Sequence, residues 1–354
     1  MAKRTYTYDG SSWQGLASPA VSLSNYPNMT TTPISGFRNA IINGDMDIWQ
    51  RGTSGIVPTS TQPYSADRWE SYRAGYAAGM SVYRPAGPTG ITYAARVQRD
   101  VGNTSTANMA FGQPIESMNS TRFAGKNVTL SFWARAGANF SSASSILTAQ
   151  VTYGTGTDQN YRSGFTGNTV VVSSPVTLTT SWQRFTISGN VSATATQVGV
   201  QFSYTPIGTA GAADHFEITG VQLEEGLIAT PFEQRPVGLE LSLCQRYFYS
   251  RRANDTDKNW GWGWWEGNNA FITFVHPCEM RIAPAFSFNG TSGIQVVYPA
   301  VAWYNVSGTI SNHHNGTKSS NMLVGITGAS VPQSTQALMA TTGTGGALWV
   351  SAEL

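Results

Sequence analysis

The chain has 354 residues, of which 21 are basic and 19 are acidic, and its formal net charge is +2 at pH 7. Charged residues make up 11% of the chain and aromatic residues 12%, whereas an intrinsically disordered protein has many charges and few aromatic residues. The composition also argues against a coiled coil, and the small net charge gives no reason to expect nucleic-acid binding. So few charges suggest that part of the surface is buried in a larger assembly.

The N-terminal residues and the cysteines bear on the compartment. Residues 1–15 start with basic residues, but no apolar run follows, so we predict no signal peptide. No stretch reaches the roughly 18 apolar residues of a membrane helix, and we predict no membrane insertion. Cys244 and Cys278 are too few for a disulfide framework, so we expect two reduced thiols, with one disulfide between them as the alternative.

The first segment, residues 1–38, is predicted to be an extended arm. Tyr6, Tyr8 and Trp13 flank an Asp9-Gly10 turn signal, and this pattern predicts a small hairpin. Three prolines follow before residue 34. They indicate a linker that lies along another surface.

Residues 39–235 are predicted to form the main β domain. Short runs of alternating apolar and polar residues recur at intervals of roughly ten residues, and Gly, Asn, Ser and Pro separate them. Such spacing is typical of a β-sandwich or jelly roll. Trp49, Trp69, Trp133 and Trp182 lie within these patterns, and we expect them in the core. The clearest runs are Val128–Trp133, Ala149–Tyr153, Gln183–Ile187, Gln197–Phe202 and Phe216–Leu223.

A short helix and a second β domain complete the chain. Residues 236–249 are predicted to be a helical connector, with a helix over Gly238–Tyr247 that places Leu239 and Leu243 on one face. Residues 250–354 are predicted to be a second β domain. From Ala285 to the last residue only Lys318 and Glu353 carry a full charge, which indicates that this domain packs against copies of itself.

Several motifs follow one another in order over about residues 39–290. They are Asn43–Gly52, Tyr64–Trp69, Gly125–Arg135, Gly220–Gly226, Thr230–Pro236, Leu243–Phe248 and Met280–Pro284. Together they resemble a family of phage virion proteins with a jelly roll like that of carbohydrate-binding modules. The resemblance implies a jelly roll, and the sequence as a whole predicts an all-β chain with an N-terminal extended arm, a jelly-roll β-sandwich and a second C-terminal β domain. The resemblance implies no single role, since such modules occur on tail fibres and on head decorations.

We predict no cofactor. Carbohydrate-binding jelly rolls often hold a structural calcium ion, with an acidic residue in the closing strand, but here Thr219 and Gly220 stand in that place. The alternative is a Ca²⁺ ion, which prefers oxygen ligands, bound through Asp45, Asp47 and Asp214.

The run Trp260-Gly-Trp-Gly-Trp-Trp-Glu266 is the sharpest local feature. On a strand, Trp260, Trp262 and Trp264 would project from one face, and the glycines would leave the other face open. With Trp265, these indoles are the candidate glycan-binding residues, because indole faces pack on the apolar C–H faces of sugar rings. The alternative is that the rings fill a core between subunits.

Four charged residues in the motifs that resemble the family, which we call the landmark residues, support two interpretations. Arg51, Arg68, Glu224 and Glu233 could form salt bridges that hold the beginning and end of the jelly roll together. Alternatively, the two carboxylates could act as an acid and base pair on a glycosidic bond. The sequence lacks the metalloprotease, phosphate-loop, dinucleotide and nucleophile-elbow motifs, so we predict no enzyme and no catalytic residue.

The resemblance implies a virion structural protein made in the host cytoplasm, while the composition by itself indicates only a β-rich chain that assembles with others. The leading hypothesis is a homotrimeric tail fibre that binds a host surface glycan, with Tyr6, Tyr8 and Trp13 anchoring the arm to other virion proteins of the tail or capsid. The second hypothesis is a capsid decoration protein or head fibre. The third is a polysaccharide depolymerase.

Overall fold

The computed structural model describes residues 6–8, 13–15, 37–60, 63–161, 164–253, 259–298, 302–326, 328, 336–341 and 345–354. The chain divides into two units, Met1–Phe37 and Arg38–Leu354. In the first unit, β1 (Tyr6–Tyr8) and β2 (Trp13–Gly15) pair in antiparallel register with Tyr8 opposite Trp13, as the predicted hairpin requires. The Asp9-Gly10 turn and the predicted linker over residues 16–36 lie outside the described residues.

The second unit begins with a jelly-roll β-sandwich of two five-stranded antiparallel sheets. One sheet has the strand order β10-β7-β12-β5-β4, and the other has the order β3-β6-β11-β8-β9. Neighbouring strands are mostly distant in sequence, so the chain crosses repeatedly between the two sheets. The strands are β3 (Glu70–Arg73), β4 (Met80–Tyr83), β5 (Ala95–Arg99), β6 (Met109–Ile115), β7 (Asn127–Ala136), β8 (Ile146–Gly154), β9 (Thr169–Thr177), β10 (Gln183–Asn190), β11 (Gln197–Tyr204) and β12 (His215–Glu225).

The core of the sandwich follows from the alternation in the sequence. In β7, Leu130, Phe132 and Ala134 are buried between the sheets, because every second side chain of a strand points to the same face. Trp69 is also fully buried, and its ring stacks on Phe111 with a centroid distance of 4.7 Å and an interplanar angle of 4°. One short helix, α1 (Ser117–Ser120), follows β6.

Two of the four tryptophans expected in this core are elsewhere. Trp49 and Trp69 are buried as predicted. Trp133 and Trp182 are half-buried. Trp133 alternates with the buried Phe132 and Ala134 and therefore points to the outer face of its sheet. The prediction of four core tryptophans is thus wrong for two of them.

The helix after the sandwich, α2 (Val237–Gln245), coincides with the predicted one to within two residues at its C-terminal end. Its buried side chains are Glu240 and Cys244, whereas Leu239 and Leu243 are only half-buried. Glu240 is stabilised there by an ion pair with Arg235, with a distance of 3.1 Å between Arg235 Nη1 and Glu240 Oε2. Cys244 and Cys278 are both free thiols.

The C-terminal strands form a closed six-stranded antiparallel barrel and a three-stranded sheet. The barrel has the order β14-β15-β19-β18-β17-β20, and the sheet has the order β13-β21-β16. A second apolar core fills the barrel and the inner side of the sheet. The strands are β13 (Phe248–Arg252), β14 (Asn259–Glu266), β15 (Asn269–Val275), β16 (Ala285–Asn289), β17 (Ile294–Tyr298), β18 (Ala302–Asn315), β19 (Ser319–Ile326), β20 (Gln336–Thr341) and β21 (Ala347–Ser351).

None of the described helices is long and apolar enough to cross a membrane.

Candidate functional site

The tryptophan run forms strand β14 of the barrel and presents its indoles to both sides. Trp262 and Trp264 lie on the outer surface, where 56% and 42% of each residue is exposed, whereas Trp260 and Trp265 are buried in the barrel core. The prediction that Trp260 shares a face with Trp262 and Trp264 is therefore wrong. A register shift between Asn259 and Gly261 in the pairing with β20 breaks the alternation, as a β-bulge does.

The two glycines of the run allow β14 to approach β15 closely. A Cβ atom on Gly263 would lie 1.6 Å from the carbonyl oxygen of Phe271, and one on Gly261 would lie 2.5 Å from that of Thr273. Both distances are far below van der Waals contact, so a side chain cannot be placed at either position. The glycines thus serve strand pairing, and the inner side of the barrel is filled by Trp260 and Trp265 rather than left open.

A third exposed indole lies on the outer surface of the barrel, three strands away from β14. Trp262 is opposite Leu338 in β20, Leu338 is opposite Val297 in β17, and Val297 is opposite Trp303 in β18. Residues directly opposite each other in antiparallel strands project to the same side. Trp303 is 54% exposed. We call the surface formed by Trp262 and Trp264, which share one side of β14, the indole face.

Polar side chains adjoin the indole face. Trp264 is opposite Gln336, which is exposed, and its ring stacks on Phe271 at 5.0 Å with an interplanar angle of 13°. Thr273, opposite Trp262, accepts a hydrogen bond of 3.0 Å from the Asn321 side-chain amide. Flat aromatic surfaces beside amide and hydroxyl groups suit a ligand with both apolar and hydroxyl-bearing faces.

The sequence reasoning did not find Trp303 or the row that joins it to Trp262. Trp303 alternates with residues that face the barrel core. That alternation is the available signal in the sequence, and the barrel places β18 three strands away from β14 in either direction.

The outer surface of the sheet β3-β6-β11-β8-β9 offers little space. The ring of Tyr161 lies over Gly199, where a Cβ atom would be 2.5 Å from the ring, and its hydroxyl is 2.8 Å from Thr152 Oγ1. What remains is a depression of about 20 Å³, room for roughly one water molecule. It is lined by Glu70, Tyr72, Ala110, Gly112, Tyr161 and Gln201.

A larger cavity of about 330 Å³ lies where the jelly roll contacts the three-stranded sheet. The guanidinium of Arg51 lies 3.4 Å from the ring centroid of Phe248, and it is 3.2 Å from Glu353 Oε1. Arg68 also pairs with Glu353. Tyr64 and Trp349 are among its aromatic lining residues. These landmark arginines therefore join the jelly roll to the C-terminal segment, where the sequence predicted partners within the jelly roll.

The carboxylates of the two landmark glutamates accept hydrogen bonds from backbone N–H groups, where the sequence predicted salt bridges with arginine. Glu233 accepts hydrogen bonds from the backbone N–H groups of Arg38 and Asn39, with the shorter one 2.8 Å long. Glu224 accepts hydrogen bonds from the N–H and hydroxyl of Thr230, at 2.8 and 2.7 Å. Glu233 does connect the beginning and end of the jelly roll, as predicted, but through backbone N–H groups in place of a salt bridge.

The three candidate calcium ligands divide into two environments. Asp214 pairs with Arg99 at 3.2 Å, and both side chains are fully buried. Burial, with a smaller contribution from Asp47 and Glu240, raises the pKa of Asp45 to about 6. Burial likewise raises the pKa of Asp47. Within the described part of the chain, no group of three or more His, Cys, Asp or Glu residues is arranged to hold a metal ion, and the absence of a cofactor stays a prediction.

Comparison with known proteins finds similarity only at the level of fold. No family model and no curated protein matches the chain. A CBM4 carbohydrate-binding module is 20% identical and has a TM-score of 0.32, with 52% of this chain and 98% of that chain covered. The enzymatically active domain of tailspike protein 4 from bacteriophage CBA120 is 13% identical and has a TM-score of 0.32, with 53% of this chain and 21% of that chain covered.

A Stig cyclase from Fischerella sp. TAU is 10% identical and has a TM-score of 0.36, with 55% of this chain and 100% of that chain covered. The three neighbours include a binding module, a phage tailspike domain and an enzyme of another kind. Identities and TM-scores this low carry no argument about function, and each likeness covers about half of this chain.

Proposed function

We propose that this chain is a virion structural protein, a homotrimeric tail fibre whose indole face binds sugar rings on the host surface. One observation carries the binding function: two large aromatic side chains, Trp262 and Trp264, are about half exposed side by side on one strand of a closed barrel. The resemblance of the sequence motifs to phage virion proteins supports the assignment to a phage particle. The scarcity of charge beyond Ala285 supports self-association.

The chemistry of the indole face suits a carbohydrate. A pyranose ring has apolar C–H faces that pack on an aromatic ring, and its hydroxyls need hydrogen-bonding partners at the rim. Gln336 and Thr273 supply such partners beside Trp262 and Trp264. Because the rings are carried by paired strands rather than by a loop, little conformational entropy is lost on binding.

The use that competes with glycan binding is contact between subunits, since aromatic residues also dominate interface cores. Replacing Trp262 and Trp264 together by alanine separates the two uses. Each aromatic stacking contact is worth about 0.5–1.5 kcal/mol beyond area burial, so we expect binding to host envelope polysaccharide to weaken at least about ten-fold. The mass by light scattering should stay that of a trimer. Met118, exposed on α1 of the jelly roll, provides the control variant Met118→Ala.

Two results would contradict this assignment. A double variant with the mass of one chain would show that the indole face is a subunit interface. Absence of binding by the unmodified protein to any envelope polysaccharide of its host would remove the glycan-binding function. A single-chain mass for the unmodified protein would remove the trimer alone.

The position on the particle needs a separate experiment. We propose the tail, and an antibody against residues 250–354 should label the tail of purified particles, while the soluble protein should block adsorption. Label over the head without an effect on adsorption would instead identify a capsid decoration protein.

The proposal includes no catalytic step. Glu224 and Glu233 are occupied as acceptors for neighbouring backbone N–H groups, which does not favour an acid and base pair. Incubation with envelope polysaccharide should therefore release no reducing ends, and their release would identify a depolymerase.

A further inference from the structure

A row of charged and aromatic residues crosses the outer surface of the jelly-roll sheet β10-β7-β12-β5-β4. Tyr83 is opposite Arg96, Arg96 is opposite Glu217, and Glu217 is opposite Arg135. Trp182, immediately before β10, stacks on Arg135 with its ring centroid 4.8 Å from the guanidinium carbon. The row therefore reads aromatic, cation, anion, cation, aromatic across the width of the sheet.

One buried carboxylate holds both guanidinium groups in place. Arg96 Nε donates to Glu217 Oε1 at 2.8 Å, and Arg135 Nε donates to Glu217 Oε2 at 2.7 Å. The Glu217 side chain is fully buried, whereas 34% of Arg96 and 33% of Arg135 remain exposed. The carboxylate thus orients two arginines by their inner edges and leaves the outer edges toward solvent.

The row carries a net positive charge. Glu217 balances one of the two arginines, and β4, β5, β7 and β10 contain no Asp or Glu at all. Arg184, opposite Trp133 in the next row, adds a further cation. His215 adds none at neutral pH, because burial and the nearby Arg96 lower its pKa to about 4.

The aromatic residues of this surface are half-buried rather than core residues. Tyr83, Trp133 and Trp182 each keep part of their surface exposed. Strands lie about 4.8 Å apart, so Tyr83 and Trp182 are separated by roughly 19 Å along the row. This length matches a short run of sugar residues better than it matches one small anion.

We propose that this row is a second binding surface, one that takes an acidic glycan, with Arg96 and Arg135 bonded to its carboxylate or sulfate groups and Trp182 packed against a sugar ring. Planar guanidinium groups bind such anions through paired hydrogen bonds. A purely structural Arg-Glu-Arg network would need neither exposed outer edges nor flanking aromatic rings. The surface belongs to the jelly roll and does not depend on the indole face of the barrel.

The test measures binding of the full chain to polygalacturonate and to dextran sulfate, with neutral dextran as the uncharged comparison. Carboxylate and sulfate probes distinguish the two kinds of acidic glycan. We expect binding to at least one of the two, weakening as salt concentration rises, and no binding to dextran. Charge-assisted hydrogen bonds are strong enough that Arg135→Gln should weaken binding about ten-fold.

Matched variants keep the result interpretable. Lys318→Gln removes one positive charge from an exposed barrel position and should leave binding within about two-fold of the unmodified protein. Trp182→Ala and Arg135→Lys leave Glu217 with a cationic partner, so they report on the surface even if Arg135→Gln does not fold. Both should weaken binding.

The proposal is overturned if the unmodified protein binds neither acidic polymer, or binds dextran equally well. It is also overturned if Lys318→Gln weakens binding as much as Arg135→Gln, since this would show attraction to net charge only. The double replacement of Trp262 and Trp264 should leave acidic-polymer binding unchanged. If that double variant fails to bind host polysaccharide, the result concerns only the indole face. The glycan-binding proposal for the barrel and the acidic-glycan proposal for the jelly roll can therefore fail separately.

Discussion

Arginine side chains replace lysines as the structural cations of this chain. The sequence has four lysines among its 21 basic residues, and several arginines are fully buried. Arg73 donates to the carbonyl oxygens of Ala78, Gly79 and Ser105, and Arg99 donates to those of Ile207 and Gly208. A planar guanidinium with five donors can satisfy several loop carbonyls at once, which an ammonium group cannot do in fixed geometry.

Asp45, unlike these arginines, is a buried charged group with an unsatisfied polar atom. Its Oδ1 atom is buried without a hydrogen-bond partner, and its folded-state pKa of about 6 lies above the ordinary value of 3.8. A raised pKa means that the folded state holds the proton more tightly than the unfolded state. The stability that Asp45 contributes is therefore fully present below pH 3.8 and is lost as the pH rises through about 6.

Asp45→Asn should remove this dependence. Relative to the unmodified protein, the free energy of unfolding of the variant should improve by about 2 kcal/mol between pH 4 and pH 7. Urea denaturation at several pH values measures it. The comparison variant is Glu225→Gln, because Glu225 pairs with Lys126 on the surface, and it should show no such improvement. A pH-independent difference for Asp45→Asn would contradict the assignment.

Among the elements, β14 shows how strand pairing selects residues. Its glycines lie where the backbone of β15 approaches, and its tryptophans divide between core and surface because of a bulge near its beginning. Glycine is needed at both positions because no side chain fits between the two backbones, whichever residues flank it. The alternation of glycine and tryptophan thus reflects both backbone approach and ring placement.

Gly263→Ala should disturb the β14 and β15 pairing. The added Cβ would lie 1.6 Å from the Phe271 carbonyl oxygen, so the strands must separate, and we expect a loss of about 2–3 kcal/mol in unfolding free energy. Gly238 in α2 has no atom within 4 Å of an added Cβ. Gly238→Ala is therefore the control and should stabilise the protein by about 0.5–1 kcal/mol. Equal effects from the two replacements would contradict the close approach.

In the whole molecule, two apolar cores lie within one compact unit, Arg38–Leu354, and buried charges connect them. Glu353 near the C-terminal end pairs with both Arg51 and Arg68 of the jelly roll. Arg246 after α2 pairs with Glu116 at 2.9 Å. Contacts of this kind should make the jelly roll and the barrel unfold together.

Glu353→Gln tests this coupling. Removing one partner of a buried ion pair leaves an uncompensated charge and costs about 3–5 kcal/mol. Calorimetry of the unmodified protein should show one transition, and the variant should show an earlier one that separates into two. Glu279→Gln is the matched control, because Glu279 pairs with Lys318 on the surface and should change stability by less than about 1 kcal/mol. An unchanged single transition in Glu353→Gln would show that apolar contact alone couples the cores.

The strands could be predicted well and the outward-facing tryptophans could not. Alternation in Val128–Trp133 identified a strand, and Leu130 and Phe132 are in the core as expected. The same pattern does not show which face of the sheet packs against the other sheet. The predicted core position of Trp133 is wrong for this reason, because Trp133 faces outward. For α2, apolar spacing suggested Leu239 and Leu243 as the packed residues. Glu240 is buried instead because Arg235 and the backbone of Asn43 supply its partners.

By itself, the sequence determined an all-β chain, a hairpin in the N-terminal arm, a jelly roll followed by a short helix, and a second β domain. These depend on local alternation and turn residues, which act over a few positions. Only the tertiary structure decided that Trp260 lies inside the barrel, that Trp262 and Trp264 lie outside it, and that Arg96, Glu217 and Arg135 form one row. Strand order, register and bulges bring distant residues together, and they arise from packing of the whole chain rather than from any short segment.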